Sequence, residues 1–189
     1  MRSCKKRLRL IYADPPWQYK DKRCSGACEN HYNTMNINDL CNLPIKEIAA
    51  DDCVLFIWAT YPLLPEAIKL IEAWGFQYKT IGFQWIKTNK SITNPLFFRL
   101  NNLFFGLGRW TRGNTEPCLI ATKGKIKRLN NSISQIVLAP IENHSKKPDI
   151  VREKIVSLVG DLPRIELFAR KKTDGWDVFG NEVESDVRL

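Results

Sequence analysis

Short apolar runs alternate with amphipathic segments along this chain. Residues 8–13 (LRLIYA) and 53–60 (CVLFIWAT) are nearly continuous runs of β-prone side chains, as found in strands buried on both faces. Residues 65–75 carry apolar side chains at helical spacing and end at a glycine, which predicts a helix that connects two strands. This alternation predicts an α/β fold with a mostly parallel sheet flanked by helices.

The rest of the chain continues the same pattern. Further strands are predicted at residues 76–87, 117–122, 134–139 and 165–169. A short helix is predicted near residues 37–43, and a longer helix begins at Pro148 and ends at Gly160. The long segment between the strands at 76–87 and 117–122 lacks periodicity, which is typical of a functional loop. We expect a single domain over residues 1–189.

The composition is that of a globular protein, with 44% hydrophobic and 26% charged residues. It excludes an intrinsically disordered chain and a collagen-like repeat. The longest uncharged apolar run, residues 53–65, is too short to span a bilayer and contains prolines. No apolar signal segment follows the basic N-terminus. We therefore expect no membrane partner, and a place in the cytoplasm of a bacterial or phage-infected cell, or in the nucleus of a eukaryote.

Six cysteines occur in a chain that is long enough to bury its own core, so it does not need disulfides for stability. Cys24 and Cys28 are separated by three residues, and no second Cys or His pair follows at zinc-finger spacing. We therefore expect free thiols and no metal.

Basic residues exceed acidic ones, 29 against 20, which gives a formal charge of +9. Much of the excess lies in four basic stretches, at residues 5–9, 20–23, 109–112 and 123–128. One such stretch is typical of a solvated loop. Together, and with many aromatic residues nearby, they indicate a nucleic-acid partner.

The tetrapeptide Asp14-Pro15-Pro16-Trp17 follows the first strand directly, where the ligand crevice of an open α/β sheet lies. The exocyclic amine of a base is a poor nucleophile because its lone pair is delocalised into the ring. The Asp14 carboxylate and the Pro15 carbonyl can accept its two hydrogens, and the prolines provide no competing N–H. Trp17 can stack on a base that has left its helical stack. We expect Asp14 to orient the amine and stabilise charge, because an ordinary Asp is a weak base at neutral pH.

The tetrapeptide belongs to an ordered series of motifs. The series runs over residues 8–183 and includes YADPPW (12–17), HYNTM (31–35), LFIWAT (55–60), EPCLIATKG (116–124), SKKPD (145–149), IELFAR (165–170) and GWDVFGNE (175–182). It resembles the MT-A70 family of S-adenosylmethionine-dependent N6-adenine methyltransferases, and most of all a small bacterial or phage-like member. The resemblance implies a Rossmann-like sheet in the permuted (beta-class) methyltransferase order, with a catalytic half at about residues 8–125 and a cofactor half at about residues 134–183.

The resemblance also implies roles for individual residues. The tetrapeptide holds the target adenine, and Asp14 additionally lies by the methyl donor. The cofactor-binding positions implied are Asp14, Lys147, Phe168, Arg170, Asn181 and Glu182. Lys147 is the one that meets the carboxylate of S-adenosylmethionine, a role that suits a compact charge. The substrate-binding positions implied are His31, Tyr32, Trp110, Arg112 and Glu116.

One further motif is set aside. Residues 104–108 (FFGLG) fit the F-x-G-x-G pattern of a cofactor-binding glycine loop, but no apolar helix stripe follows them. We interpret them as glycines of a substrate loop. With Lys147 and Arg170 serving the cofactor, the charge available for phosphate lies mainly in the four basic stretches. Three of the four flank or include loops assigned to the substrate mouth, so a basic rim around Asp14 is expected.

Three functional hypotheses follow. The first is N6-methylation of adenine in DNA, at a short or relaxed site because no separate recognition domain is visible. The second is the same chemistry on RNA, which depends on contacts to the 2′-OH; cytosine N4-methylation is a weaker variant. The third is a non-catalytic nucleic-acid-binding subunit, against which the intact DPPW argues. A monomer, a homodimer and a complex with a partner subunit all remain open.

Overall fold

The computed structural model describes residues 7–18, 34–90, 102–108, 110–142 and 145–189. The described strands are β1 (Leu8–Ala13), β2 (Ala49–Trp58), β3 (Gln77–Thr88), β4 (Thr115–Lys123), β5 (Ile136–Pro140), β6 (Arg164–Leu167) and β7 (Asp177–Phe179). The described helices are α1 (Ile37–Asn42), α2 (Ile45–Ile48), α3 (Leu64–Ala73) and α4 (Ile150–Val159), with a short 3₁₀ turn at Tyr61–Leu63.

The described strands form one sheet in the order β5-β3-β4-β2-β1-β6-β7. β4 pairs antiparallel with β2 and β3, and every other pairing among these strands is parallel. The expectation of an α/β, Rossmann-like and mostly parallel sheet is therefore confirmed. The exception is β4, which follows its neighbour β3 through a loop, and an antiparallel neighbour needs no crossover helix.

Helices cover both faces of the sheet, as the continuous apolar runs predicted. Within β1, Ile11 and Ala13 face α1 and α3, whereas Leu10 and Tyr12 face α4. Successive side chains of a strand point to opposite faces, so a central strand covered by helices on both sides is apolar at every position. All of these side chains are essentially inaccessible to solvent.

Local signals explain where the helices begin and end. The Asn36 side chain caps α1 by accepting from the Asp39 amide at 3.0 Å. Gly75 and Gly160, which follow α3 and α4, have φ values of 83° and 92° that other residues rarely adopt. The predicted start of α4 at Pro148 was two residues too early, because Asp149 is the cap and Ile150 is the first helical residue.

Two short elements were not predicted. β7 has three residues and α2 has four, which is too short for a periodic pattern to be visible. β2 also begins at Ala49, earlier than predicted, because its first residues include the exposed Asp51 and Asp52. None of the helices in the described part of the chain has the length and apolarity needed to cross a membrane.

The order of the strands determines where a ligand can bind. The chain leaves β1 toward β2 on one side and returns later to β6 on the other side. β1 and β6 are parallel, and their last residues, Ala13 and Leu167, are register partners. In open α/β sheets the crevice beyond such a switch point is the usual ligand site. We call the end of the sheet at which β1, β2 and β6 finish the catalytic edge, and the end at which these strands begin the opposite or far edge.

Candidate active site

The tetrapeptide after β1 lies at the catalytic edge and is held by backbone hydrogen bonds. The Asp14 amide donates to the Leu167 carbonyl at 3.5 Å, and the Trp17 amide donates to the Pro15 carbonyl at 2.8 Å. The Met35 amide donates to the Pro16 carbonyl at 2.9 Å. The Pro15 carbonyl keeps a second lone pair, so it can still accept from a substrate.

Trp17 is more buried than a stacking platform would require. Its ring is 7% exposed, and its indole nitrogen donates to the Trp58 carbonyl at 3.1 Å. The ring belongs to the core on the α1 and α3 face. This contact fixes the end of the tetrapeptide to β2, and the role of Trp17 in stacking stays a prediction.

Four charged side chains form an ion-pair network beside the tetrapeptide. Lys147 Nζ lies 2.9 Å from both carboxylate oxygens of Asp14 and 3.1 Å from Oε1 of Glu116. Glu116 Oε2 pairs in turn with Lys87 Nζ at 2.8 Å. The side chains of Lys147 and Glu116 are 5% and 11% exposed, whereas that of Asp14 is 27% exposed. The structure thus brings together Lys147, which the sequence assigned to the cofactor, Glu116, which it assigned to the substrate, and Asp14, which it assigned to both.

Burial and pairing shift the pKa values of this network. Burial raises the pKa of Asp14, and the nearby Lys147 only partly offsets this effect. Burial alone would raise the pKa of Glu116 too, but Lys147 and Lys87 outweigh it and lower that pKa. Burial would lower the pKa of Lys147, yet the Asp14 and Glu116 carboxylates raise it above its ordinary value. Glu116 and Lys147 are therefore firmly charged, and Asp14 is the group closest to neutralisation.

A cavity of about 320 Å³ opens between the ends of β1 and β6 and the start of α4. This volume is at the lower end of the range typical of small-molecule sites. Asp14, Lys147, Phe168 and Arg170 line it, as do Tyr12, Ser145, Lys146, Arg152, Glu166 and Lys171. Four of the six residues predicted to bind the cofactor therefore meet in one cavity.

Backbone strain is concentrated at the same cavity. Among the described residues other than glycine, Ser145 and Phe168 have positive φ values, 58° and 62°. Such values are uncommon outside glycine, Asn and Asp, and they cluster at functional sites. The Phe168 ring packs edge-on against Phe179 with the ring centroids 6.5 Å apart. The strained turn therefore places an aromatic ring at the cavity wall directly after β6.

The floor of the cavity contains a buried ion pair that the sequence did not reveal. Arg152 of α4 binds Glu166 of β6 through two hydrogen bonds of 2.7 and 2.6 Å. The Arg152 guanidinium also lies 5.6 Å from the Tyr12 ring centroid. The Tyr12 hydroxyl accepts from the Trp58 indole at 2.6 Å, and burial raises the pKa of Tyr12 well above its ordinary value. A Glu within a buried strand run such as IELFA was the signal available, because an unpaired carboxylate is rarely buried.

Asn181 and Glu182 lie beside the cavity rather than in its lining. Both are exposed in the turn after β7, and Glu182 Oε1 is 3.7 Å from Nε of Arg170. Gly180 allows this turn to approach β6, because a Cβ at Gly180 would lie 2.1 Å from the Ala169 carbonyl oxygen. The cofactor roles of Asn181 and Glu182 stay predictions.

The described residues of the loop between β3 and β4 follow the end of β3 at the catalytic edge. Its stem is fixed by backbone bonds from Phe104 to the Lys87 carbonyl and from Gly106 to the Gly113 carbonyl. Trp110 is 99% exposed, and Arg112 is also exposed. Their roles in substrate binding stay predictions, and His31 and Tyr32 lie outside the described residues.

The described residues of two basic stretches lie at the opposite edge of the sheet. Of the stretch at 5–9, residues 7–9 are described, and Arg7 precedes β1 and contacts Asp51 at 3.4 Å near the start of β2. Residues 123–128 begin at Lys123, which ends β4, and β4 runs antiparallel to β1 and β2. The expectation of a basic rim around Asp14 is therefore wrong for these two stretches, as far as they are described, because of the direction of β1 and β4.

The cysteines of the described part of the chain, Cys41, Cys53 and Cys118, are free thiols. Burial raises the pKa of Cys53 to about 12, and burial together with Asp14 raises that of Cys118 well above its ordinary value. Such thiols are poor nucleophiles. Cys24 and Cys28 lie outside the described residues.

Comparison with known proteins gives the site its context. The sequence profile of the MT-A70 family matches residues 8–182. The chain belongs to the MT-A70 family. This MT-A70 chain is 35% identical to the Type II methyltransferase M.MunI of Mycoplasma sp., over 95% of this chain and 79% of that protein.

Human relatives are more distant and longer. The chain is 26% identical to the N(6)-adenosine-methyltransferase catalytic subunit METTL3 of Homo sapiens, over 93% of this chain and 28% of that protein. It is 28% identical to the human N(6)-adenine-specific methyltransferase METTL4, over 95% of this chain and 38% of that protein. The chain thus spans most of the bacterial relative and less than half of either human protein. Membership in the MT-A70 family confirms the resemblance seen in the sequence, and with it the expectation of a methyltransferase.

Proposed function

We propose that this MT-A70 chain transfers a methyl group from S-adenosylmethionine to the N6 amine of adenine in DNA. The observation that carries the proposal is the position of Asp14. Its carboxylate is part of an intact DPPW at the end of β1, and it lines a cavity with walls of opposite charge. A substrate amine and a methyl donor can therefore meet at one partly exposed carboxylate.

The residues of the cavity fit the chemistry of the cofactor. Lys147 and Arg170 offer cations for a carboxylate, and Asp14 and Glu166 offer acceptors for hydroxyl and amine groups. Phe168 offers an apolar ring for the face of the cofactor's own adenine. S-adenosylmethionine supplies an electrophilic methyl group on a positively charged sulfur.

The protein's part in the reaction is to hold the amine in line with that methyl group. Asp14 and the Pro15 carbonyl accept the two amine hydrogens, so the nitrogen lone pair turns out of the ring plane. With S-adenosylmethionine bound, an amine held in this way would form the new N–C bond as the C–S bond broke, and the electrons of that bond would stay on sulfur. The nitrogen then loses one proton, for which Asp14 is a suitable acceptor because burial raises its pKa.

DNA is favoured as the polymer because of the similarity to M.MunI. This bacterial protein is a Type II methyltransferase by name, and the chain spans 79% of it. The loop between β3 and β4 supports a polymer substrate, since Phe105, Leu107 and Trp110 expose large apolar side chains beside Arg112. Exposed aromatic side chains with neighbouring cations are suited to unstacked bases and phosphates. RNA is the second candidate, favoured by the similarity to METTL3, an N(6)-adenosine-methyltransferase by name.

The test is transfer of labelled methyl from S-adenosylmethionine to duplex DNA, single-stranded DNA and RNA, followed by identification of the modified nucleoside. We expect N6-methyladenine in DNA, with duplex as the preferred form. Label found mainly in RNA would assign the second candidate. Cofactor binding without methyladenine in any polymer would leave a non-catalytic nucleic-acid-binding subunit as the explanation.

A further inference from the structure

Lys147 has more hydrogen-bond acceptors than it can serve. Its Nζ lies within 3.4 Å of both Asp14 oxygens, Oε1 of Glu116, and the backbone and hydroxyl oxygens of Ser145. An ammonium has three N–H donors. Lys147 can therefore leave Asp14, keep Glu116 and Ser145 as partners, and still have a donor for another anion.

The contact with Asp14 conflicts with the proposed reaction. Lys147 Nζ is 2.9 Å from each Asp14 oxygen, so whichever of these oxygens the adenine amine approaches already accepts a hydrogen bond from Lys147. The Asp14 carboxylate also lines the cavity, on the same side as Lys147. As the structure stands, the side of Asp14 that faces the cavity is taken by an internal cation.

We propose that Lys147 acts as a latch on Asp14 and that a carboxylate bound in the cavity releases it. This inference rests on the proposed function and adds to it the order in which the two ligands bind. Lys147 and Ser145 both line the cavity, so the ammonium can turn toward an incoming carboxylate without leaving Glu116. Asp14 then becomes free to accept the adenine amine. The cofactor therefore binds before the adenine enters the site.

The balance of charge favours this exchange. Asp14 and Glu116 offset Lys147 and Lys87, so the network of four side chains is neutral. When Lys147 turns to the cofactor's carboxylate, Asp14 loses a cation, and the ammonium group next to that carboxylate, which S-adenosylhomocysteine also carries, can supply another. Neither buried charge is left unpaired, which would be costly in this environment.

Glu116 is a positioning residue in this scheme. It is buried, it contacts Lys147 directly, and Lys87 holds it from the other side at 2.8 Å. It keeps Lys147 near the cavity once Asp14 has been released. Glu116→Gln preserves the shape of the side chain and removes its charge, and it should lower cofactor affinity by about ten-fold, the loss of roughly one charged hydrogen bond.

The direct test is a crystal structure of the wild-type chain with S-adenosylhomocysteine, which carries the same carboxylate. We expect Lys147 Nζ to contact that carboxylate and Glu116, and to lie beyond hydrogen-bond distance from at least one Asp14 oxygen. A bound carboxylate with Lys147 still on both Asp14 oxygens would overturn the latch.

A second test measures the coupling between the ligands in solution. The affinity of a labelled DNA that the wild type methylates should rise by about ten-fold or more when S-adenosylhomocysteine is added. In Lys147→Met the ratio of the DNA affinities with and without S-adenosylhomocysteine should fall to within about two-fold, the usual limit of additivity. Lys154→Met is the matched control, because Lys154 Nζ contacts the Ser134 carbonyl and does not line the cavity; it should keep the wild-type ratio.

These outcomes separate the latch from the proposed function. A wild-type chain that methylates DNA but binds it equally well with and without S-adenosylhomocysteine would contradict the latch alone. A chain that methylates no polymer would contradict the proposed function, and the crystal structure would still decide the latch. The thermal unfolding of Lys147→Met shows whether this variant is folded, so that a change in the ratio of DNA affinities can be assigned to the missing ammonium.

Discussion

At the scale of single residues, the site depends on charges that are buried in balanced pairs. Lys147 forms ion pairs with Asp14 and Glu116, and Lys87 forms a second ion pair with Glu116. Removing one member of such a group leaves a partner without compensation, which costs more than the pair itself contributes. Each substitution in the network should therefore change both stability and ligand binding.

The first prediction concerns Lys87, which is partly exposed and does not line the cavity. Lys87→Met should lower the free energy of unfolding at neutral pH by about 1–3 kcal/mol, because Glu116 then keeps only one of its two described cations. Denaturant unfolding measures this. Lys154→Met is the control, since Lys154 contacts a backbone carbonyl of Ser134 and should change little.

The dependence of this effect on pH has a definite sign. The pKa of Glu116 is lowered in the folded chain, so its contribution to stability is present above the ordinary pKa of Glu and is lost as the pH falls through the lowered value. The difference between wild type and Lys87→Met should therefore shrink in acid. A difference that grows in acid would mean that Lys87 stabilises the chain by other contacts.

Only some of the residues and contacts of the site could be predicted from the sequence. Asp14, Lys147 and Phe168 stand in motifs, so the resemblance named them together, and the structure has all three lining one cavity. The pairing of Lys147 with Asp14 joins residues 133 positions apart, and no local pattern encodes such a contact. Lys87 was missed for the same reason.

At the scale of elements, two turns hold the site in place. The strained turn after β6 presents Phe168, and the turn after β7 packs on it through Gly180. β7 itself has only three residues, and the sequence motif GWDVFGNE marked its position without revealing a strand. The resemblance carried more information here than the periodicity did, because a short edge strand has no measurable period.

The second prediction tests the packing of these turns. Gly180→Ala places a Cβ 2.1 Å from the Ala169 carbonyl oxygen, so the segment after β6 and the turn after β7 must move apart. We expect weaker cofactor binding by calorimetry, by about ten-fold or more, because misplaced binding groups lose their geometry. Gly113→Ala is the control, since its Cβ would meet its nearest neighbour at 3.5 Å. Equal cofactor affinity in both variants would refute the role of Gly180.

The third prediction concerns the loop between β3 and β4. Trp110→Ala removes an exposed ring and should reduce methyl transfer to duplex DNA by about ten-fold, the equivalent of one base stacked on an aromatic side chain. Tyr78→Ala removes another exposed ring, near the start of β3 at the opposite edge, and should have no effect. Matching losses in the two variants would remove the loop from the substrate site.

At the scale of the whole molecule, the net charge of +9 is distributed over both edges of the sheet. The sequence predicted a rim around Asp14, but the direction of β4 takes residues 123–128 to the far edge. Strand direction is a property of the whole topology, so a linear pattern of charge could not give it. Phosphate contacts at the catalytic edge must come from fewer cations than the total suggests.

The fourth prediction follows from this distribution. Arg112→Ala should weaken DNA binding and reduce the slope of log affinity against log salt by about one, as the loss of a phosphate contact does. Lys125→Ala removes the same charge at the far edge, where its amide contacts Asp52, and should leave the slope unchanged. Anisotropy titrations over a range of salt concentrations measure both. A reduced slope in Lys125→Ala alone would place the DNA on the far edge.

In the proposed reaction Asp14 directs methyl transfer to adenine N6, and a comparison of three proteins on the same duplex DNA tests this role. Wild type and Asp51→Asn, which loses an exposed carboxylate at the far edge, should both produce N6-methyladenine from S-adenosylmethionine. Asp14→Asn keeps the shape of the side chain and should reduce the rate by at least about a hundred-fold, the effect of removing one preorganised polar group. Mass spectrometry of the nucleosides measures this. Wild-type rates from Asp14→Asn, or methylation of an atom other than adenine N6, would contradict the account.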